Sequence, residues 1–158
     1  MLDKKLDEEL TEYHKDKNIE ELADLLEVLY ATAKARGYSI EELAEAGGKI
    51  AEVTHKHPLG FLPASLLTVL LYKIVPMSPK QVCEDIDSIV ADTVNILDRI
   101  YKGKYDADKR YLKELTTGAM RLAHSDVADA IAICQLGEGW VAEETWAIAL
   151  YCAIRHID

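Results

Sequence analysis

Three helix-start signals constrain the fold more than any other feature of the chain: Asn18 followed by Glu21, Ser39 followed by Glu42, and the run Ser78-Pro79-Lys80-Gln81. A short polar side chain at an N-cap accepts a hydrogen bond from a backbone N–H one turn on. A Glu or Gln three residues later reaches back to the cap's own N–H. Proline directly after the cap presets φ and removes a donor that has no helical partner. Between these signals apolar residues recur at helical spacing: Leu6, Leu10 and Tyr13, then Ile19, Leu22, Leu25, Leu26, Leu29 and Ala33 up to Gly37. No alternating β-branched run bounded by hairpin turns occurs. The expected fold is all-α: a helical hairpin, then an orthogonal helical bundle. A short third helix, "IEELAEA", is expected to end or bend at Gly47-Gly48, with further helices near 61–75, 79–101, 108–123, 126–135 and 141–156. Ser125 is the expected cap of the helix near 126.

At 158 residues the chain can bury one sizeable core or two small units packed together. The wording changes near residue 46, dividing a hairpin unit, 1–45, from a second helical region, 46–158. A formal charge of -10 argues against a nucleic-acid polymer or an anionic membrane as partner. An anionic ligand would need a local basic pocket, a helix N-terminus or a bridging metal. Cys83, Cys134 and Cys152 are odd in number and form no CxxC pair, the usage of buried, reduced thiols in a cytoplasmic protein. The apolar run "LGFLPASLLTVLLYKIV" carries Pro63 and Lys73, so it reads as a buried helix and not as a membrane span.

The hairpin is rich in acids: Glu8, Glu9, Glu12, Glu20, Glu21, Asp24 and Glu27. Glu9 with Glu12, and Glu21 with Asp24, are three apart and share a helix face. A turn at 15–18 that folds the two helices antiparallel brings both pairs together. Two readings fit. The acids are a solvated helix surface, or they form a cage for a hard cation such as Mg2+, which takes oxygen ligands and brings phosphates and water with it.

The wording of "KLDEELTEYHKDKNIEELADLLEVLYATAKARGYSIEEL" resembles the MazG-like nucleotide pyrophosphatases, in the phosphoribosyl-ATP pyrophosphohydrolase-like branch. That family carries EExxE on one helix and ExxD on the next. The resemblance implies that Glu9, Glu12, Glu21 and Asp24 hold magnesium. It also implies that Glu8 and Glu9 are the acids serving catalysis, Glu8 as an accessory, and that water attacks a nucleoside triphosphate to release pyrophosphate. A homodimer would then bury the apolar stripes of two hairpins in a four-helix bundle.

From Gly47 onward, "GGKIAEVTHKHPLGFLPASLLTVLLYKIV" and "LGEGWVAEETWAIALYCAIRH" resemble the middle portion of the ADP-ribosylglycohydrolases. There a TH-x-HP-x-G corner precedes a long helix, and a G-x-GW-x-AEE segment follows later. The family's paired magnesium is held by GD-x-x-G, DD-type and D-x-DT motifs, none of which occurs in these 158 residues. The resemblance therefore implies a related but catalytically incomplete region, or a non-catalytic interaction module. His55 and His57 are expected to shape the corner before the helix. Gly137 and Gly139 are expected to permit a tight turn, with Trp140 and Trp146 filling the core.

Overall fold

A computed structural model describes residues 1–157, and among them the chain is all-helical, with no strand. The helices are α1 (Leu2–Asp16), α2 (Ile19–Ala35), α3 (Ile40–Glu52), α4 (Pro58–Ile74), α5 (Pro79–Ile100), α6 (Asp106–Ala123), α7 (Asp129–Leu136) and α8 (Ala142–Arg155).

All three caps stand at the expected residues, but only two are reciprocal: Glu21 returns no bond to the Asn18 N–H. Asn18 accepts from the Glu21 N–H at 2.9 Å, and Ser39 and Ser78 form capping boxes with Glu42 and Gln81. Each cap contributes about 1 kcal/mol. α4 begins three residues earlier than its apolar text suggests, because His57 Nδ1 accepts from the Leu59 N–H at 3.2 Å and Pro58 opens the helix. α7 begins later than expected. Ser125 turns its hydroxyl to the Leu122 carbonyl and the Val127 N–H, and Ala128 stands at the N-cap without a side-chain bond.

The main core lies between α4, α5, α6 and α8. Leu62 and Leu66 meet Val90 and Leu97, Leu112 and Ala119, and Ala147 and Tyr151, all buried. Trp146 completes it, its indole N–H donating to Thr116 Oγ1 at 2.9 Å. A smaller cluster of Ala44, Val69 and Ile96 joins α3 to α4 and α5. The cysteines correct an expectation: Cys134 is exposed and Cys83 and Cys152 only half-buried, all three free. No helix among the described residues is long and apolar enough to cross a membrane.

α3 runs through Gly47-Gly48 instead of ending there, and across residues 45 and 46. A Cβ on Gly47 would lie 2.4 Å from Thr68 Oγ1, and one on Gly48 would lie 2.4 Å from the Tyr101 hydroxyl and 2.5 Å from Ser65 Oγ. The glycines are there for close approach, and they let α3 lie directly on α4 and the end of α5. Ser65 and Tyr101 are hydrogen-bonded to each other at 2.9 Å, so neither yields freely. Gly48→Ala is expected to lower stability by about 1–3 kcal/mol despite alanine's better helix propensity. Urea unfolding of the two proteins measures it.

α7 is tied to α8 through Asp129, which accepts from the Tyr151 hydroxyl at 2.7 Å and faces Arg155 and His156 at 3.5 and 3.7 Å. The tyrosine hydrogen bond, with His156 and Arg155 behind it, holds the carboxyl below its usual 3.8. A folded-state pKa below the unfolded one stabilises the fold above the unfolded value, and that contribution is lost as pH falls through the folded value. Asp129→Asn should therefore flatten the loss of stability below about pH 4. Denaturant titrations at successive pH values will show an unchanged acid limb if the linkage is absent.

Candidate functional site

The two motifs of the second region, TH-x-HP-x-G and G-x-GW-x-AEE, lie some eighty residues apart in the sequence and meet in space. His55, Pro63, Leu67, Trp140, Val141 and Thr145 line a surface depression of about 410 Å³. An adjoining one of about 270 Å³ shares His55 and Trp140 and adds His57, Gly60 and Glu143.

The motif residues explain one another. Glu144 accepts from the N–H groups of Glu138 and Gly139 at 3.1 and 3.0 Å, so it clamps the loop before α8. Gly137 passes over that carboxylate at φ 127°, and a Cβ there would sit 2.4 Å from Glu144 Cδ. Thr145 Oγ1 donates within the same turn, at 3.1 Å from the carbonyls of Gly139 and Val141. On the other side, His55 Nδ1 lies 2.8 Å from Thr54 Oγ1. A Cβ on Gly60 would approach His55 Cβ to 2.7 Å, so this glycine admits the histidine. His57 caps α4, the structural role expected of it.

Trp140 corrects an expectation. Trp146 fills the core, whereas Trp140 is 86% exposed, held over the depression by the clamped loop. The two indoles stand six residues apart on either side of the start of α8, and only the second reaches the interior. Glu144 as the loop's clamp, and Pro63 and Leu67 as the shelf floor, were not evident from the text. The available signal was the place of Glu144 as the last acid of the AEE motif, seven residues after Gly137.

The acidic hairpin is a second constellation. α1 ends at Lys17 in the left-handed region (φ 48°), and α2 returns antiparallel from Asn18. Among the described residues, Glu9, Glu21 and Asp24 offer carboxylate oxygens that all lie within 4.8 Å of one another. Glu9 is only 4% exposed. Glu12 stands beside the group: partial desolvation first, then the charge of Glu9, hold its carboxyl above its usual 4.5. Glu8 stands outside the group and pairs with Lys5 at 3.5 Å. Lys5 also forms a close ion pair with Glu9, the counter-charge that lets this carboxylate be buried. The donor set is hard oxygen only, which suits magnesium and not a soft metal.

The ADP-ribosylglycohydrolase family model matches residues 14–158. The chain belongs to that family, and the matched span takes in α2 and α3 as well as the two motif regions. No curated protein and no solved structure matches the chain, and none of the comparisons points to a nucleotide pyrophosphatase.

Proposed function

We propose that this chain binds an ADP-ribosyl group on the shelf between the His55–His57 corner and Trp140, as an ADP-ribosylglycohydrolase relative without a complete hydrolytic centre of its own. The observation that carries the reading is the meeting of the two family motifs around an exposed indole. An open tryptophan face on a clamped loop suits stacking of a purine, and such stacking contributes about 1–3 kcal/mol per base. His55 and the backbone of the corner lie within the same depressions to meet the polar remainder of the ligand. Glu143 is the one carboxylate lining the shelf. Calorimetric titration with ADP-ribose tests the reading. Saturable heat in the wild type, weakened roughly 5- to 150-fold in Trp140→Ala, is expected; no heat with the wild type removes it.

A second reading rests on the hairpin: a magnesium-dependent nucleotide pyrophosphohydrolase, favoured by the convergence of Glu9, Glu21 and Asp24. Glu9, Glu12, Glu21 and Asp24 would hold the Mg2+, which when bound neutralises phosphate charge and acidifies water. Lys5 must leave Glu9 for a cation to enter, so the chain's own lysine competes with the ion. This reading predicts a rise in melting temperature with magnesium or manganese, and pyrophosphate release from a nucleoside triphosphate. Both should disappear in Glu9→Gln combined with Asp24→Asn. Turnover that survives that double substitution places the activity elsewhere.

A further inference from the structure

The second helix of the hairpin meets the end of α4 at a recess of its own, away from the Trp140 shelf. Tyr30 of α2 and Tyr72 of α4 stand edge to face, their rings at 85° with centroids 5.7 Å apart. With Glu27 and Lys34 from α2, and Val75 and Pro76 from the end of α4, they line a cavity of about 230 Å³. Pockets for whole drug-sized ligands measure roughly 300–1,000 Å³. This one has room for a head group only.

Three features of the recess favour positive charge. Glu27 lies one turn before Tyr30, so the carboxylate and the ring share a helix face. The face of an aromatic ring is the negative part of its quadrupole, and two rings at right angles form a corner with two such walls. The third feature is the end of α4 itself. Tyr72 stands in its last turn and Val75 is its C-cap, at the negative end of the helix dipole. Pro76 has no N–H, so the Tyr72 carbonyl lacks the donor that would stand four residues on. Lys34 is the opposing charge. It is exposed, on a flexible stem, and seven residues from Glu27, about 10 Å along the helix.

The walls also select the kind of cation. A hard metal ion needs several oxygen ligands, and the recess offers one carboxylate. A primary ammonium brings three donors that each want an acceptor. An alkylated ammonium needs no such set: its charge is spread over methyl groups, which pack on tyrosine faces and on Val75 and Pro76.

We propose that the Tyr30–Tyr72 recess binds an alkylated ammonium head group of the trimethylammonium kind, its methyls in the corner of the two rings and Glu27 as counter-charge. The recess lies between α2 and the end of α4, whereas the Trp140 shelf uses Pro63, Leu67 and the start of α8, so neither proposal depends on the other.

Titration with choline, followed by the NMR signal of its methyl protons, tests it. Groups over an aromatic face are shielded, so a saturable upfield shift is expected, and a signal that does not move overturns the proposal. Neohexyl alcohol has the same shape with carbon in place of the charged nitrogen. It should bind several-fold more weakly, and equal binding would reduce the recess to an apolar hollow. Tyr72→Leu should weaken choline about 2- to 30-fold. Should that change disturb the packing of α2 on α4, two exposed residues decide. At low salt Glu27→Gln should weaken choline and Lys34→Gln should tighten it, each by about 2- to 5-fold. The opposite pair of signs would assign the recess to an anion and overturn the proposal. A peptide carrying Nε-trimethyllysine, titrated beside choline, separates the two sources of this head group: the tighter of the two names the source, and binding by neither is contrary.

Discussion

Trp146→Ala is expected to destabilise the protein by about 3–5 kcal/mol, the largest effect of any single substitution considered. The indole is 7% exposed in the core that α4, α5, α6 and α8 share. Its removal opens a cavity that helices tied at both ends cannot collapse to fill. It also takes away the donor to Thr116 Oγ1. The Thr116 hydroxyl donates to the Leu112 carbonyl at 2.7 Å, so what it loses is the group directed at its lone pair. Trp146→Phe separates the two contributions: most of the packing stays, the hydrogen bond goes, and the expected cost falls to about 1–2 kcal/mol. Chemical denaturation of the three proteins measures the ladder, and equal midpoints for alanine and phenylalanine would deny the packing argument.

Gly137→Ala should cost about 2–4 kcal/mol and remove the shelf as a binding surface. Two independent penalties meet at this residue. Its φ of 127° is one that side chains with a Cβ rarely adopt, and the new methyl would lie 2.4 Å from Glu144 Cδ and 2.5 Å from Cγ. To admit it, Glu144 must let go of the N–H groups of Glu138 and Gly139, and the loop carrying Trp140 is then no longer held. Glu144→Gln is the informative companion. It keeps the size and one carbonyl acceptor, so it should weaken the clamp without the steric clash, and its loss of stability should be smaller than that of Gly137→Ala. Comparable losses would mean that the clamp alone accounts for the cost, and that the backbone conformation and the clash at Gly137 add little to it.

How far the fold could be read from the text depended on whether the signal was local. The caps at Asn18, Ser39 and Ser78 satisfy their own backbone one turn away, so the residues involved are neighbours in sequence and their structure follows. The same holds for the carboxylates of the hairpin, where spacing of three plus one turn was enough to bring Glu9, Glu21 and Asp24 together. Gly47-Gly48 misled for the opposite reason. Their purpose is the approach of Thr68, Ser65 and Tyr101, from helices that no local rule connects to α3. Trp140 and Trp146 show the limit most plainly: two identical side chains in one motif, of which tertiary packing buries the second and leaves the first in water. Lys5 could have been found, since it stands four residues before Glu9 on the same helix face.

The central claim is that Trp140 is part of a binding surface for an ADP-ribosyl group, and the chain offers a direct reporter of it. With Trp146→Phe, Trp140 is the single indole left, and its exposure predicts emission typical of a tryptophan in water. Titrating that protein with ADP-ribose should quench and blue-shift the emission with saturation, while ribose 5-phosphate, which has no base to stack, should leave it nearly unchanged. Emission that ignores ADP-ribose at concentrations where calorimetry registers binding would contradict the account, because the ligand would then be held somewhere other than on the Trp140 shelf.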